Sequence, residues 1–421
     1  MFATFKQIFR SSNKDLRVRI LFTLVALAIF AFGNSIVLFT LKNRVNANSL
    51  GYLDLFNALS GGTLKQFSIF ALGVMPYISA SIVIQILQMD IIPYFKELKE
   101  LGEEGRRKIA KITRYLGLAV ALIQGFFYPM MVIEKTDANI IPICIQSAVI
   151  LTAGTAFLLW LGDEVTNKGL GNGVSLIIMA GIVATLPSMF ISAYPGSGAA
   201  LVEWIKFSVF ILLYLVIIVG IIWVENAERR IPIQYSNRSS GSYGGQQTFL
   251  PLKLNSASVM PVIIASVVMG IPTIVQKFVK SDSVTTFITK YLTTTSAVGF
   301  VIYILLIIAF TYIYTFLTIN PEELSKNLNN NGGYIPGIRP GSETKKYIST
   351  VLARITFLGA IFIAFLAALP TIFTYATGME NVQLGGTSIL IAVGVLLETY
   401  KQLESSAVSR SYQDTGKRRR G

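Results

Sequence analysis

The residues of this chain most able to do chemistry are polar groups set inside apolar runs, and arginines set in the loops between those runs. One run holds Pro76 with Ser79, Ser81, Gln85 and Gln88, and another opens with Asn255, Ser256, Ser258 and Pro261. A hydroxyl or amide surrounded by hydrocarbon must find a hydrogen-bond partner. These groups therefore either tie one helix to its neighbour or line a water-filled, openable interface. Fully charged groups are placed differently. No run carries Asp, Glu, Lys or Arg near its middle, and Asp90, Arg114, Lys206, Arg354 and Glu398 all lie near ends. Ion-coupled carriers commonly keep ionisable groups at membrane depth. Their absence argues against proton coupling and leaves Na⁺ coupling through backbone carbonyls open.

Enzyme chemistry finds little to work with. The chain has no His and a single Cys, Cys144, inside an apolar run, which excludes imidazole-based triads, the H-E-x-x-H zinc motif and a disulfide framework. An aspartyl intramembrane protease needs two Asp at membrane depth, and the runs supply none. The glycine-rich Gly169-Leu170-Gly171-Asn172-Gly173 follows an apolar run and opens the next, so it is not the strand-turn-helix loop that cradles phosphate. The expectation is a protein with no catalytic residue, no cofactor and no metal.

The elements that carry these residues follow from composition. Of 421 residues 53% are apolar and 14% charged, and the mean hydropathy is +0.61, against about 25% charged residues in soluble domains. The reading is an all-α integral membrane protein. A helix crosses the roughly 30 Å hydrocarbon core in about 20 apolar residues, and ten segments qualify. They run from Val18 to Phe39, Ser68 to Met89, Ile109 to Ile133, Ile140 to Leu161, Val174 to Ser192, Ile205 to Val224, Ala257 to Gln276, Gly299 to Ile319, Thr350 to Phe373, and Gly386 to Leu397 with its continuation. The basic start, Lys6, Arg10, Lys14, Arg17 and Arg19, resembles a secretory signal with Ala31 and Gly33 at a cleavage site. The apolar run continues past Gly33, however, and further spans follow it, so it is read as the first span.

Charge sets the expected orientation. With the N-terminus in the cytoplasm, 28 of the 36 Lys and Arg fall on the cytoplasmic side, as the positive-inside rule requires. An even number of spans returns the C-terminus there as well. The net charge of +14 thus bears on topology first, and Lys417, Arg418, Arg419 and Arg420 either face anionic lipid or a ribosome, or simply form a solvated tail. Two cytoplasmic connections are long, 225–256 and 320–349. Ser239 to Gln247 reads as a flexible tip, and Tyr334 to Gly341 (Y-I-P-G-I-R-P-G) as a defined turn presenting Arg339, a candidate docking surface. Asp54 to Gly62 (D-L-F-N-A-L-S-G-G) is too short to span, so it is an interfacial turn or a re-entrant segment shielded from lipid.

Several of these segments are specific. F-S-I-F-A-L-G-V-M-P-Y-I-S-A-S-I-V-I-Q from Phe67 is similar to the second-helix signature of the SecY family. G-E-E-G-R-R-K from Gly102, W-L-G-D-E-V-T-N-K-G-L-G-N-G from Trp160, L-P-L-K-L-N from Leu250 and Y-I-P-G-I-R-P-G from Tyr334 match that family in order and spacing. V-E-N-A-E-R-R-I-P from Val224 and G-G-T-S-I-L-I from Gly385 extend the resemblance over nearly the whole chain. One departure stands out: the Arg-x-Gly and Pro-x-Pro-Gly usual near the end of the first helix are replaced by Ala31-Phe32-Gly33 and by Ile36 to Leu41, with neither Arg nor Pro.

The resemblance implies a single membrane domain of ten helices in two inverted halves, 18–192 and 205–400, around an hourglass pore for unfolded polypeptides. Residues 225–256 and 320–349 would be docking loops and 401–421 a basic tail. It implies an apolar pore ring of Val74, Ile78, Val174, Ile178, Ile263 and Ile391. It implies a plug made of Asp54, Leu55, Phe56, Asn57, Ala58, Leu59, Ser60, Gly61 and Gly62, and a lateral gate with Gln85 and Asn255 as polar residues. Docking of the SecA motor and the ribosome would fall to Arg339, with Arg229 and Arg230 secondary. The implied partners are the SecE and SecG subunits, SecA, the ribosome, signal peptides, nascent polypeptides and membrane lipids, in the bacterial plasma membrane. The alternatives are an accessory paralogue with restricted clients and, from a different class, a small-solute secondary transporter with inverted repeats.

Overall fold

Long runs of Leu, Ile, Val and Phe become helices in a membrane, because in hydrocarbon only a helix or a closed barrel satisfies its own backbone. The computed structural model describes residues 14–39, 67–88, 92–133, 140–196, 201–235, 248–257, 259–278, 282–292, 296–377 and 386–418. Every one of the ten apolar runs carries a helix. They are α1 (Lys14–Asn34), α2 (Met75–Leu87), α4 (Glu103–Val132), α5 (Ile140–Lys168), α6 (Gly173–Ala193), α7 (Leu201–Asn226), α8 (Met260–Phe278), α10 (Ala297–Thr318), α12 (Ser342–Thr377) and α13 (Gly386–Arg418). Three short helices lie between them: α3 (Pro93–Glu100), α9 (Asp282–Tyr291) and α11 (Pro321–Asn330). Among the described residues, α1, α4, α5, α6, α7, α10 and α12 are long and apolar enough to cross a membrane, whereas α2 and the apolar part of α8 are shorter. The protein is a multi-pass, all-α membrane protein.

Two compact units divide the chain, one of residues 1–194 with 391–421 and the other of 195–390. The stretch after Ile391 therefore groups with the first unit, although the sequence boundaries put it with the second half. In the first unit α4 packs on both α2 and α5, α5 on α6, and α1 on α5 and α6. Small residues let these helices approach closely. Gly117 faces the Tyr77 backbone and Gly125 faces Ala148. At Gly154 an added Cβ would stand 2.2 Å from the Ile69 carbonyl oxygen.

The second span is corrected by the structure. A helix was expected from Ser68, yet α2 begins only at Met75, and residues 67–74 are turns. Phe67 and Gly73 adopt positive φ of 46° and 54°, which a helix does not contain. Pro76 sits in the first turn of α2, where its missing N–H costs nothing. The turn segment bonds its own carbonyls, Ala71 N to Ser68 O and Gly73 N to Phe70 O, and joins the chain after α1 through Leu38 N to Phe67 O and Ile69 N to Ile36 O. Residues 67–74 are buried except for half-buried Ile69, the condition under which non-helical backbone survives at membrane depth. The first span likewise ends at Asn34 rather than Phe39. Helix α13 continues without a break from the last apolar run to Arg418, so the start of the basic tail is helical.

In the second unit α8 packs on α10 and α10 on α12, around Val262, Ala265, Ile307 and Ile363. The two long connections do not remain loops. Strands β1 (Glu228–Tyr235), β2 (Thr248–Lys253) and β3 (Gly333–Tyr334) form one antiparallel sheet in the order β2-β1-β3. Its register pairs Arg229 with Leu252 and Gln234 with Tyr334. Ile231, Ile233 and Leu252 of the sheet, Leu328 of α11, Ile335 and Ile348 make a separate apolar core beneath it.

Candidate channel and docking sites

The predicted pore residues begin with Val74 and Ile78, at the N-cap and first turn of α2, and both are buried. Val174 and Ile178 lie one turn apart at the start of α6, half-buried. Their helix is aimed by the turn before it. Gly171 takes φ of 75°, the Asn172 side chain accepts from Ser175 N at 3.3 Å, and the Thr166 hydroxyl accepts from Gly173 N at 2.9 Å. Thr23 of α1 completes the clamp by accepting from the buried Leu170 N at 3.1 Å. The glycine-rich run is thus a helix-to-helix turn and not a phosphate loop. Val74 and Ile178 line one recess together with Phe30, Gly73, Met75, Ile177 and Gly181. Val174 packs against the apolar cluster that contains Val74. Ile263 is buried in the first turn of α8 in the second unit, and Ile391 is buried in α13. A recess walled mostly by apolar side chains holds water poorly and obstructs ions.

Gln85 and Asn255 are amides in apolar surroundings, and each is half satisfied. Gln85 donates to Ser81 Oγ at 3.4 Å, while its Oε1 is buried without a partner among the described residues. Asn255, 4% exposed in the turn before α8, donates to Glu225 Oε1 at 2.6 Å, and its Oδ1 is likewise unpartnered. That turn is fixed from two sides, by Leu254 N bonding Ala227 O and by Gly359 of α12, where an added Cβ would meet the Leu254 carbonyl oxygen at 2.6 Å. Glu225 was not singled out from the sequence. It stands inside the V-E-N-A-E-R-R-I-P motif, whose order gave the only available signal.

Arg339 is exposed on a turn that the backbone holds firmly. Gly337 and Gly341 take φ of 81° and 101°, and Ile338 N bonds Ile335 O. Thr344 Oγ1 donates to Arg339 O at 2.9 Å and Ser325 Oγ to Gly341 O at 2.8 Å. Ile335, buried at 3% exposure, anchors the turn in the core below the sheet. Beneath it Glu322 accepts from Lys345 at 2.6 Å and from Lys326 at 3.0 Å. These two ammonium groups, Lys345 first, hold its carboxyl down at about 2. Arg229 and Arg230 are exposed on β1, and Arg230 is engaged with Glu228 at 2.8 Å. The defined turn expected at 334–341 is present and is part of the sheet body. The plug segment Asp54 to Gly62 and the tip Ser239 to Gln247 lie outside the described residues.

The described residues contain no group of three or more His, Cys, Asp or Glu able to hold a metal. Comparison with known proteins gives one consistent result. The SecY family model matches residues 68–400. The protein translocase subunit SecY of Staphylococcus epidermidis strain RP62A is 44% identical over 436 residues, covering 99% of this chain and 100% of the relative. Among solved structures, a protein-conducting channel aligns with a TM-score of 0.65 at 18% identity, over 94% of this chain and 93% of that one. Sec61 in the canine ribosome-channel complex from the endoplasmic reticulum aligns with a TM-score of 0.63 at the same identity and coverage. Sequence motifs, fold and full-length similarity agree, and the chain belongs to the SecY family.

Proposed function

We propose that this chain is the channel-forming subunit of a protein translocase in the bacterial plasma membrane, passing unfolded preproteins across and releasing hydrophobic segments sideways into lipid. The observation that carries this reading is the similarity over 99% of the chain to a protein translocase subunit. In this reading the chain has no active site, and a motor or the ribosome supplies the work. Val74, Ile78, Val174, Ile178, Ile263 and Ile391 form the yielding apolar gasket, and 54–62 the plug. Gln85 and Asn255 are polar residues of the lateral gate, and their unspent amide oxygens support that role, because water or a passing chain can satisfy them. Leu or Ile at the bilayer centre gains about 0.3–0.6 kcal/mol, while a charged residue loses about 2.5–3.5 kcal/mol. That difference sorts segments at an open gate.

Arg339 is the principal contact for SecA or a ribosome, with Arg229 and Arg230 secondary, and Arg230 is already engaged by Glu228. A guanidinium on a rigid turn loses little freedom when it makes a charge-assisted bond. The presence of a ribosome in the canine relative's complex supports a ribosome among the partners, and SecE, SecG and SecA complete the set. Both termini are cytoplasmic by the distribution of Lys and Arg.

The test is secretion of a signal-bearing reporter in cells depleted of their own SecY and supplied with this chain. Restored secretion establishes a general channel. Stable, membrane-inserted protein without secretion moves the reading to an accessory paralogue with restricted clients. In the same cells Arg339→Glu abolishes motor-driven secretion without lowering protein level, and full secretion by that variant removes the docking role. Replacing Ile78 and Ile178 together by Ser raises resting ion conductance of reconstituted channels, and an unchanged conductance takes them out of the gasket.

A further inference from the structure

Helix α9 divides its circumference into three sectors. At about 100° per residue, Val284, Phe287 and Tyr291 fall within about 60° of one another, and all three are exposed, at 40%, 56% and 37%. Adjoining them, Ile288 is buried at 6% and Thr285 is half-buried, on the edge that packs against α8 and α10. The remaining sector carries Ser283, Thr286, Thr289 and Lys290, all exposed and all polar. Protein, apolar surface and polar surface therefore follow one another around a helix of only 10 residues.

The position of α9 in the chain identifies what the apolar sector meets. The helix begins four residues after α8 ends at Phe278, and α10 begins six residues after α9 ends at Tyr291. Tethers this short hold α9 at the level where the apolar helix α8 ends and the span α10 begins. The first turns of α10 add Val298 and Val301, 47% and 56% exposed, on a helix long and apolar enough to span. The Phe287 and Tyr291 rings lie 5.1 Å apart between centroids at a tilt of 43°, and the Lys290 ammonium sits 5.5 Å from the Tyr291 ring centroid. A phenylalanine beside a tyrosine that carries one phenol hydroxyl, next to a lysine able to extend to headgroups, is the side-chain set that settles at a membrane surface.

We propose that α9 is an interfacial anchor: it lies in the plane of the membrane with Val284, Phe287 and Tyr291 in the acyl boundary and Thr286, Thr289 and Lys290 toward water. The ligand class is bulk phospholipid. The anchor fixes the depth of the connection between α8 and α10.

The test uses the full chain in phospholipid vesicles at high lipid-to-protein ratio. Cys144, the only cysteine, is first replaced by Ala, and nitroxide labels are then placed through Phe287→Cys and, separately, Thr286→Cys. Expected at 287 is relaxation several-fold stronger by oxygen, which partitions into lipid, than by a water-soluble nickel chelate, with the order reversed at 286. Equal and strong access of the chelate to both positions would place the apolar sector in water and overturn the proposal. An immobilised label at 287 shielded from both reagents would assign the sector to a second copy of the chain, and would overturn it equally. Both positions are exposed, so neither variant removes a core contact, and wild-type thermal unfolding of the labelled proteins verifies the fold.

Discussion

Helix α7 and the sheet body that follows it are adjacent in sequence and bury comparable side chains, but only one of them is built for water. In α7 the buried face is Phe210, Tyr214, Ile217, Ile221 and Val224, and the opposite face is as apolar, with Leu212, Leu215, Val219 and Trp223 exposed. In β1, Ile231 and Ile233 point inward while Arg230, Pro232 and Gln234 point out. Both regions pack by the same contact physics. The hydrophobic effect sorts side chains between inside and outside only in the body, since lipid tails reward Leu as a protein interior does. The body is thus held by apolar burial and the spans by close fit.

That contrast can be broken experimentally, beginning where the effect is largest. Gly154→Val drives a side chain into the Ile69 carbonyl, which sits 2.2 Å from the added Cβ. Because backbone cannot yield as a rotamer does, the expected cost is more than about 3 kcal/mol, read as loss of the thermal unfolding transition in detergent. Ile348→Ala empties a fully buried site in the core of the body. It is expected to cost about 2 to 3 kcal/mol and to open residues 320–349 to protease while α4 to α6 stay protected. Equal protease sensitivity of α4 to α6 would abolish the distinction between the two regions.

The smallest effect is electrostatic and belongs to the body. The Glu322 carboxyl has its folded value lowered from 4.5 to about 2 by Lys345 and Lys326. A depressed carboxylate contributes stability above its unfolded value and loses it as pH falls toward the folded one. Protease resistance of the body is therefore expected to decline between 4.5 and about 2, and Glu322→Gln should flatten that decline. The carboxyl lies at the surface, so the change is modest and salt-sensitive.

The same contrast explains what could be read from the sequence. The ten apolar runs that carry helices are legible, because hydropathy reports how dry a segment is. It does not report conformation, so residues 67–74, as apolar as a helix, were assigned to one; Phe67 and Gly73 at positive φ overrule that reading. The turn at 334–341 was legible from Gly337, Arg339 and Pro340, whereas its union with β1 was not. The pairing of Tyr334 with Gln234 depends on two residues 100 positions apart, with two spans between them. The convergence of Val74 and Ile178 on one recess came through motif order alone, since a Val or Ile taken singly reads as packing. The amphipathic face of α9 is not legible from hydropathy, because its 10 residues are too few for a membrane span.

The pairing of β1 with β3 also sets a clock. Strand β1 is the central strand of the sheet, in the order β2-β1-β3, and its second edge is closed only when Gly333 and Tyr334 arrive. A bacterial ribosome adds roughly 5–20 residues each second. The 100 residues between Gln234 and Tyr334 therefore leave that edge open for about 5 to 20 s of every synthesis. An unpaired edge invites pairing with whatever strand is nearby. The charged run Glu228, Arg229 and Arg230 at the start of β1 discourages such partners during the wait.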